Sequence, residues 1–374
     1  MSVYILLILW VAFWGILSSI TSKEILVDQG TYEKRANTLV AFCTFSFLIL
    51  LSGFRSGMAD TYAYISAFKG LPNSLSEISS YISSLEKSKG FYAASIIIKS
   101  LISEDYHIWF LIISVISGIC VMITLKNYSC NFAISSLLFI LSCYYTWMFN
   151  GIRQFLAVSI SFACVYMIIE KKLISYMIIS LLLSTIHTSA LILIPTYFIV
   201  QGEAWNKRTI LFIIFIVLSI LLGNKFTNIF NDVVQGTEYG NSMSVIADTD
   251  DGTSIIRILV ESVPTIMAFV YRKKIQDIST PIINICINMS VLGSGIYIIS
   301  KIVSSGVMVG RLPIYFTIYN LILLPWIVEK IFKKNEKRLI YFIMIILYSI
   351  FFYYQIFVRW QGMTYISDIL VNFH

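Results

Sequence analysis

Charge is scarce in this chain. Aspartate, glutamate, lysine and arginine make up only 13% of its 374 residues, against about 25% in soluble domains, and that shortage excludes an ordinary soluble fold. The six cysteines (Cys43, Cys120, Cys130, Cys143, Cys164 and Cys286) show no CxxC spacing and lie in or beside apolar runs. They read as small core hydrophobes, with neither a disulfide framework nor a zinc site indicated. No glycine-rich nucleotide loop is present, and the polar loops between apolar runs are mostly too short to build a domain that binds a sugar nucleotide. Acidic pairs are missing as well. Near the membrane, the first long polar loop offers Asp60 alone, with Glu77, Glu86, Glu104 and Asp105 scattered beyond it, so no metal and no other cofactor is expected.

Apolar residues fill the space that charge vacates: 58% of the chain, with mean hydropathy +0.82. An integral membrane protein follows. Eleven apolar runs occupy 3–20, 38–53, 105–125, 131–149, 152–169, 173–201, 209–223, 255–271, 280–301, 307–327 and 339–357. The first lacks the basic start of a secretion signal and is followed by many equally apolar runs, so it reads as a retained span. The sixth exceeds the roughly 20 residues one helix needs to cross hydrocarbon, and it contains STIHTSA near its middle. A break or re-entrant turn is expected at His187, tolerated in a membrane only where protein buries it or water reaches it. The fold class is therefore all-α and polytopic, a single integral domain over 1–374 with outer loops 54–104 and 224–254. Within the first loop, 70–104 is expected to hold an amphipathic helix on the membrane and a shallow helix lining a cavity. The second loop is acidic (Asp232, Glu238, Asp248, Asp250 and Asp251) without an EF-hand pattern, and reads as a polar lid.

With that break, sixteen of the 27 lysines and arginines fall in the loops 21–37, 126–130, 170–173, 202–208, 272–279 and 328–338. The positive-inside rule places those loops in the cytoplasm. It also explains the net charge of +7 without a nucleic-acid partner. Arg153, Arg257, Lys301 and Arg311 remain, each at a span end on the outer side, and Arg55 joins them. Singly each could be a snorkelling cation; together they could form a collar for an anion with several oxygens, such as a diphosphate.

Three polar stretches share that outer level: FRSGMADTYAYISAF (54–68), NGIRQFLAVSI (150–160) and IHTSALILIPTY (186–197). Their order, with a KK turn between the last two, resembles the EpsG family, the Wzy-like polymerases of bacterial O-antigen, capsule and exopolysaccharide. The chain departs from the pattern in having two residues between Gly57 and Asp60. It also shows Lys89-Gly90-Phe91 where an acidic residue would precede the Gly-Phe pair. The resemblance implies a GT-C-like architecture with about 11–12 membrane segments in the bacterial cytoplasmic (inner) membrane, its active site facing the periplasm or cell exterior. It implies a glycosyltransferase that joins undecaprenyl-diphosphate-linked oligosaccharide repeats. Membrane lipid is a further partner, and a chain-length regulator and a flippase are candidate partner proteins.

Such a reaction asks for cations to stabilise the lipid-diphosphate leaving group and a general base for the acceptor hydroxyl. Arg153 and Arg311 are the first choices for the cation, then Arg55, with Arg257 and Lys301 completing the collar. His187 or Asp60 would be the base. Thr61, Tyr62 and Gln154 are candidate substrate contacts, and Tyr64, Tyr144 and Tyr145 flank them. Each has a plainer alternative: His187 as a helix-packing residue, Asp60 as a cap on the helix starting at Thr61 or a partner of Arg55, Gln154 as a backbone partner. Glu261 reads as the structural partner of Arg257 one turn earlier. His107 and His374 read as surface residues. Metal-free, inverting transfer is expected. A flippase for the same lipid, an O-antigen ligase and a membrane acyltransferase are the competing readings; only one clear helix break argues against a transporter built on repeats.

Overall fold

The computed structural model describes residues 2–28, 31–235, 252–306, 308–360 and 362–370. Glu238, Asp248, Asp250 and Asp251 of the loop 224–254, and His374, lie outside the described residues. What is described is an all-α polytopic membrane protein of nineteen helices, with one short antiparallel hairpin.

The helices are α1 (Ser2–Thr21), α2 (Thr38–Gly53), α3 (Thr61–Lys69), α4 (Ile78–Ser83), α5 (Lys89–Leu101), α6 (Tyr106–Tyr128), α7 (Phe132–Leu141), α8 (Ile152–Ala163), α9 (Val165–Ile169) and α10 (Leu173–Ile186). They continue with α11 (Leu193–Val200), α12 (Lys207–Leu222), α13 (Asn224–Gln235), α14 (Ile255–Val270), α15 (Arg272–Gln276), α16 (Pro281–Ile302), α17 (Ile314–Thr317), α18 (Asn320–Ile331) and α19 (Lys334–Tyr353). Strands β1 (Lys23–Asp28) and β2 (Thr31–Arg35) form the hairpin, which the sequence reading did not anticipate.

Among the described residues, four helices are long and apolar enough to cross a membrane: Val3–Thr21, Tyr106–Tyr128, Pro281–Ile302 and Lys334–Arg359. Two bent pairs qualify jointly: Lys207–Leu222 with Asn224–Phe230, at 111°, and Val309–Thr317 with Asn320–Ile331, at 47°. The remaining apolar runs are shorter or interrupted helices. Their starts are written in the sequence, because a short polar side chain precedes several of them. Asn37, Asp105, Asn131 and Asn206 each accept a hydrogen bond from a first-turn N–H of α2, α6, α7 and α12, satisfying donors that hydrocarbon could not.

The break in the sixth run falls at His187. α10 stops at Ile186, His187 is extended (φ −148°, ψ 119°), and a 3₁₀ turn over Thr188–Ile192 precedes α11. The loop 54–104 forms α3, a 3₁₀ turn over Leu75–Glu77, α4 and α5.

The chain gathers into two compact units, residues 1–194 with 328–374, and residues 195–327. In the first, α2 and α6 pack at close range because glycines line their seam. A Cβ on Gly53 would stand 2.9 Å from Leu111 Cα, and one on Gly118 would stand 2.5 Å from Ile49 Cγ1. Small residues allow such approach where lipid supplies no hydrophobic drive. Ser52 and Ser114 share a 2.5 Å hydrogen bond across the seam. One end of this unit carries the lip at residues 54–60; the hairpin stands at the other, where Arg35 bonds the carbonyl of Ser129 just past α6.

In the second unit, Thr253 Oγ1 and Ser300 Oγ lie 2.8 Å apart, and Gly310 is so close that its Cβ would meet both. The start of α14, the end of α16 and the turn before α17 therefore meet at one end. Arg257, Lys301 and Arg311 belong to those three segments.

Candidate functional site

The lip begins where α2 runs out at Gly53. Arg55, two residues on, turns inward and is fully buried. Its Nε donates to Thr61 Oγ1 at 3.1 Å, Nη1 bonds the Ser52 carbonyl, and the guanidinium lies 3.8 Å over the Phe110 ring centroid. Nη2 is buried with no hydrogen-bond partner. Burial lowers its pKa to about 9, against the opposing pull of Tyr64, Tyr145 and Tyr365. No carboxylate lies within ion-pairing distance of Arg55 among the described residues.

Asp60 is exposed at the N-cap position of α3, yet its side chain makes no capping bond, nor does it pair with Arg55. Thr61 is buried, donating to the Met58 carbonyl at 2.5 Å while accepting from Arg55. Tyr62 is 63% exposed. Tyr64 faces inward from α3 and joins two of the polar stretches: the Gly151 N–H donates to its hydroxyl at 3.2 Å. Burial and then the charge of Asp60 push its phenol pKa up, while Arg153 pulls it down.

Gly151 has φ 83°, a left-handed turn that glycine adopts without strain, and it starts α8. That places Arg153 in the first turn, half-buried, with Gln154 buried behind it at 3% exposure. Arg153 Nη1 donates to Ser88 Oγ at 3.2 Å, and its guanidinium lies 5.8 Å from the Tyr92 ring centroid. The Lys89-Gly90-Phe91 stretch is thereby set beside Arg153. Gly90 presses against Thr185 of α10, where its Cβ would fall 2.1 Å from Oγ1. Two residues further on is His187, whose Nδ1 lies 2.6 Å from Ser189 Oγ. Ile186 packs into the same hydrophobic cluster as Phe68, Phe91, Phe110 and Ile152.

Stretches 54–64, 88–92, 150–154 and 185–189 thus meet at one end of the first unit. Arg55, Asp60, Thr61, Tyr62, Arg153, Gln154 and His187 all lie on them. Arg257, Lys301 and Arg311 share an end of the second unit, Lys301 half-buried and Arg311 exposed. Glu261 is 4% exposed on α14, and its backbone carbonyl accepts from Asn320 at 3.3 Å.

Two features escaped the sequence reading. His107 is not a surface residue; it is 8% exposed, its Nδ1 lies 3.0 Å from Asp105 Oδ1 and its Nε2 3.2 Å from Ser56 Oγ. Aspartate at the cap of α6 fixes the ring, and the ring fixes the lip. The second feature is the C-terminal segment 362–368, which binds the lip through one antiparallel bridge and neighbouring hydrogen bonds. Ile366 pairs with Gly57, Ala59 N–H donates to the Gly362 carbonyl at 2.7 Å, and Asp368 N–H donates to Ser56 Oγ at 2.9 Å. Nothing in TYISD advertises a partner some 300 residues away.

The family profile described as EpsG family matches residues 38–367, from the start of α2 to this C-terminal segment. No curated protein and no solved structure matches the chain.

Proposed function

The chain belongs to the EpsG family, and from that premise we propose that it is a polysaccharide polymerase acting on undecaprenyl-diphosphate-linked repeats at the outer face of the bacterial cytoplasmic membrane. The observation that supports this is the meeting, at one end of the first unit, of a half-buried arginine, an uncapped aspartate and a histidine at a helix break.

In the proposed step, a hydroxyl of the incoming repeat attacks the anomeric carbon of the growing glycan. The bond from that carbon to the diphosphate oxygen breaks, a glycosidic bond forms, and the electron pair leaves on the lipid diphosphate. Arg153 meets the leaving group, because it is partly accessible where Arg55 is buried. Fixed positive charge in a poorly hydrated site stabilises the diphosphate most as the bond breaks. Arg55 is sealed from contact in this structure; its role is to add positive field from behind and to hold Thr61. Asp60 or His187 takes the acceptor proton. A single displacement of this kind inverts the anomeric centre and calls for no metal. Tyr62, the exposed ring on α3, offers a stacking face for a sugar.

The test is extension of a purified undecaprenyl-diphosphate-linked repeat by detergent-solubilised protein, with and without EDTA. A ladder of lipid-linked products, lost in Arg153→Ala and His187→Ala chains that still fold, is the expected result. EDTA should leave it unchanged. Absence of a ladder on the cognate repeat, together with movement of labelled lipid across a proteoliposome membrane, would replace the polymerase reading with a flippase.

A further inference from the structure

At the end of the first unit opposite the lip lies a cavity of about 440 Å³, between the end of α1, the β1–β2 hairpin, the start of α7 and the α18–α19 turn. That volume is in the usual range for a small-molecule site. Its lining carries both signs of charge. Two carboxylates are already engaged: Glu33 pairs with Arg35 at 2.7 Å, and Glu329 is held by Tyr341 at 2.8 Å, Lys337 at 3.0 Å and Asn131 at 3.1 Å. The groups left for a ligand are Glu24, Lys34 and Lys330. Glu24 and Lys34 are direct cross-strand partners in the hairpin register, but no ion pair within 4.0 Å joins them among the described residues.

We propose that this cavity binds a phosphoethanolamine headgroup, with its ammonium at Glu24 and its phosphate at Lys34 and Lys330, and that the source is a membrane phospholipid. A purely anionic ligand would face Glu24, and a purely cationic one would face the two lysines. A zwitterion with its charges a few bonds apart answers both. An ammonium with three N–H donors suits a carboxylate, whereas a trimethylated ammonium has none to give. The lipid source follows from what adjoins the cavity. Ser18, Ser19 and Ser22 form its wall at the end of α1, and Ile16 and Ile20 on the same helix are 64% and 75% exposed. Acyl chains can lie along that apolar flank while the headgroup enters. The site is independent of the proposed transfer chemistry.

The test mixes the detergent-solubilised full chain with phosphatidylethanolamine, phosphatidylglycerol and phosphatidylcholine of the same acyl chains and reads the complexes by native mass spectrometry. Phosphatidylethanolamine should be retained over the other two by about tenfold, roughly what one extra charge-assisted contact contributes. The preference should disappear in a Glu24→Gln/Lys34→Gln chain whose thermal unfolding without lipid is unchanged, and weaken in Lys330→Gln. Equal retention of the three lipids, or a preference that survives in both variants, overturns the site. Displacement of the lipid by water-soluble phosphoethanolamine at equal concentration overturns the lipid source.

Discussion

Replacing Gly90 with alanine tests whether the 88–92 stretch is held against α10 as described. The new Cβ would stand 2.1 Å from Thr185 Oγ1, 2.8 Å from Thr185 Cβ and 3.3 Å from its carbonyl carbon. Rotating Thr185 away does not relieve the second contact, and it breaks the 2.7 Å bond from Thr185 Oγ1 to the Leu182 carbonyl. Alanine in a helix gains about 0.5–1 kcal/mol over glycine at an interior position, less in the first turn where Gly90 sits. Overpacking costs about 1–3 kcal/mol, so the overlap wins and a net loss of about 1–2 kcal/mol is expected. The assay pairs thermal unfolding with product-ladder formation. Because α5 begins beside Ser88, which receives Arg153, the ladder should fall more than the folded fraction does. Thr185→Ala in the Gly90→Ala background removes the nearest atom and should restore part of both. An unchanged ladder and unfolding midpoint in Gly90→Ala, or no recovery in the double variant, would refute this packing.

Arg55 supplies a charge prediction. Its guanidinium stays protonated across the working pH range, so removal rather than titration tests it: Arg55→Met keeps the length without the charge and should reduce product formation strongly while leaving the unfolding midpoint unchanged or raised. A full product ladder from a folded Arg55→Met chain would remove Arg55 from the mechanism. Gly53→Ala places a Cβ 2.9 Å from the backbone of Leu111, which cannot rotate away, and should destabilise the α2–α6 seam by about 2–3 kcal/mol, the upper part of the overpacking range; an unchanged unfolding midpoint counts against it. Deleting residues 362–370 removes the partners of Ser56, Gly57 and Ala59 and should abolish elongation in a chain that still inserts. A full product ladder from the truncated chain would show that the segment is dispensable.

Periodicity and hydropathy carried the membrane fold, because every apolar run becomes helix in a medium that forbids unpaired backbone. The break at His187 was legible for a local reason: a polar residue among Thr185, Thr188 and Ser189 interrupts a run too long for one span. The hairpin was not legible. KEILVD and TYEKR are short and charged, without the alternating apolar face that marks a strand in sequence. His107 was misread because its burial depends on two partners that sequence spacing does not bring together, Asp105 at the helix cap and Ser56 across the lip. The C-terminal segment is the extreme case, since backbone hydrogen bonds with residues 56–59 leave no compositional trace.

The inward turn of Arg55 is the feature most in need of a reason. A buried cation without a carboxylate is expensive, and an apolar residue of similar size would usually be no worse for stability. Here the guanidinium is only partly compensated: one hydroxyl, one carbonyl and the faces of Phe110 and Phe149 meet it, while Nη2 has no acceptor. Supplying a neighbouring carboxylate would have neutralised the charge and removed its field. Leaving it uncompensated would keep that field directed, in the proposed reaction, at an anion approaching the lip, where Tyr64 feels the opposite charges of both Asp60 and Arg153. Because the arginine is already fixed and desolvated, the proposed reaction would require no reorganisation of it as charge develops on the leaving group. The price in stability is spread over the structures that hold the lip closed around it: the glycine seam of α2 and α6, the Asp105–His107–Ser56 chain and the C-terminal segment.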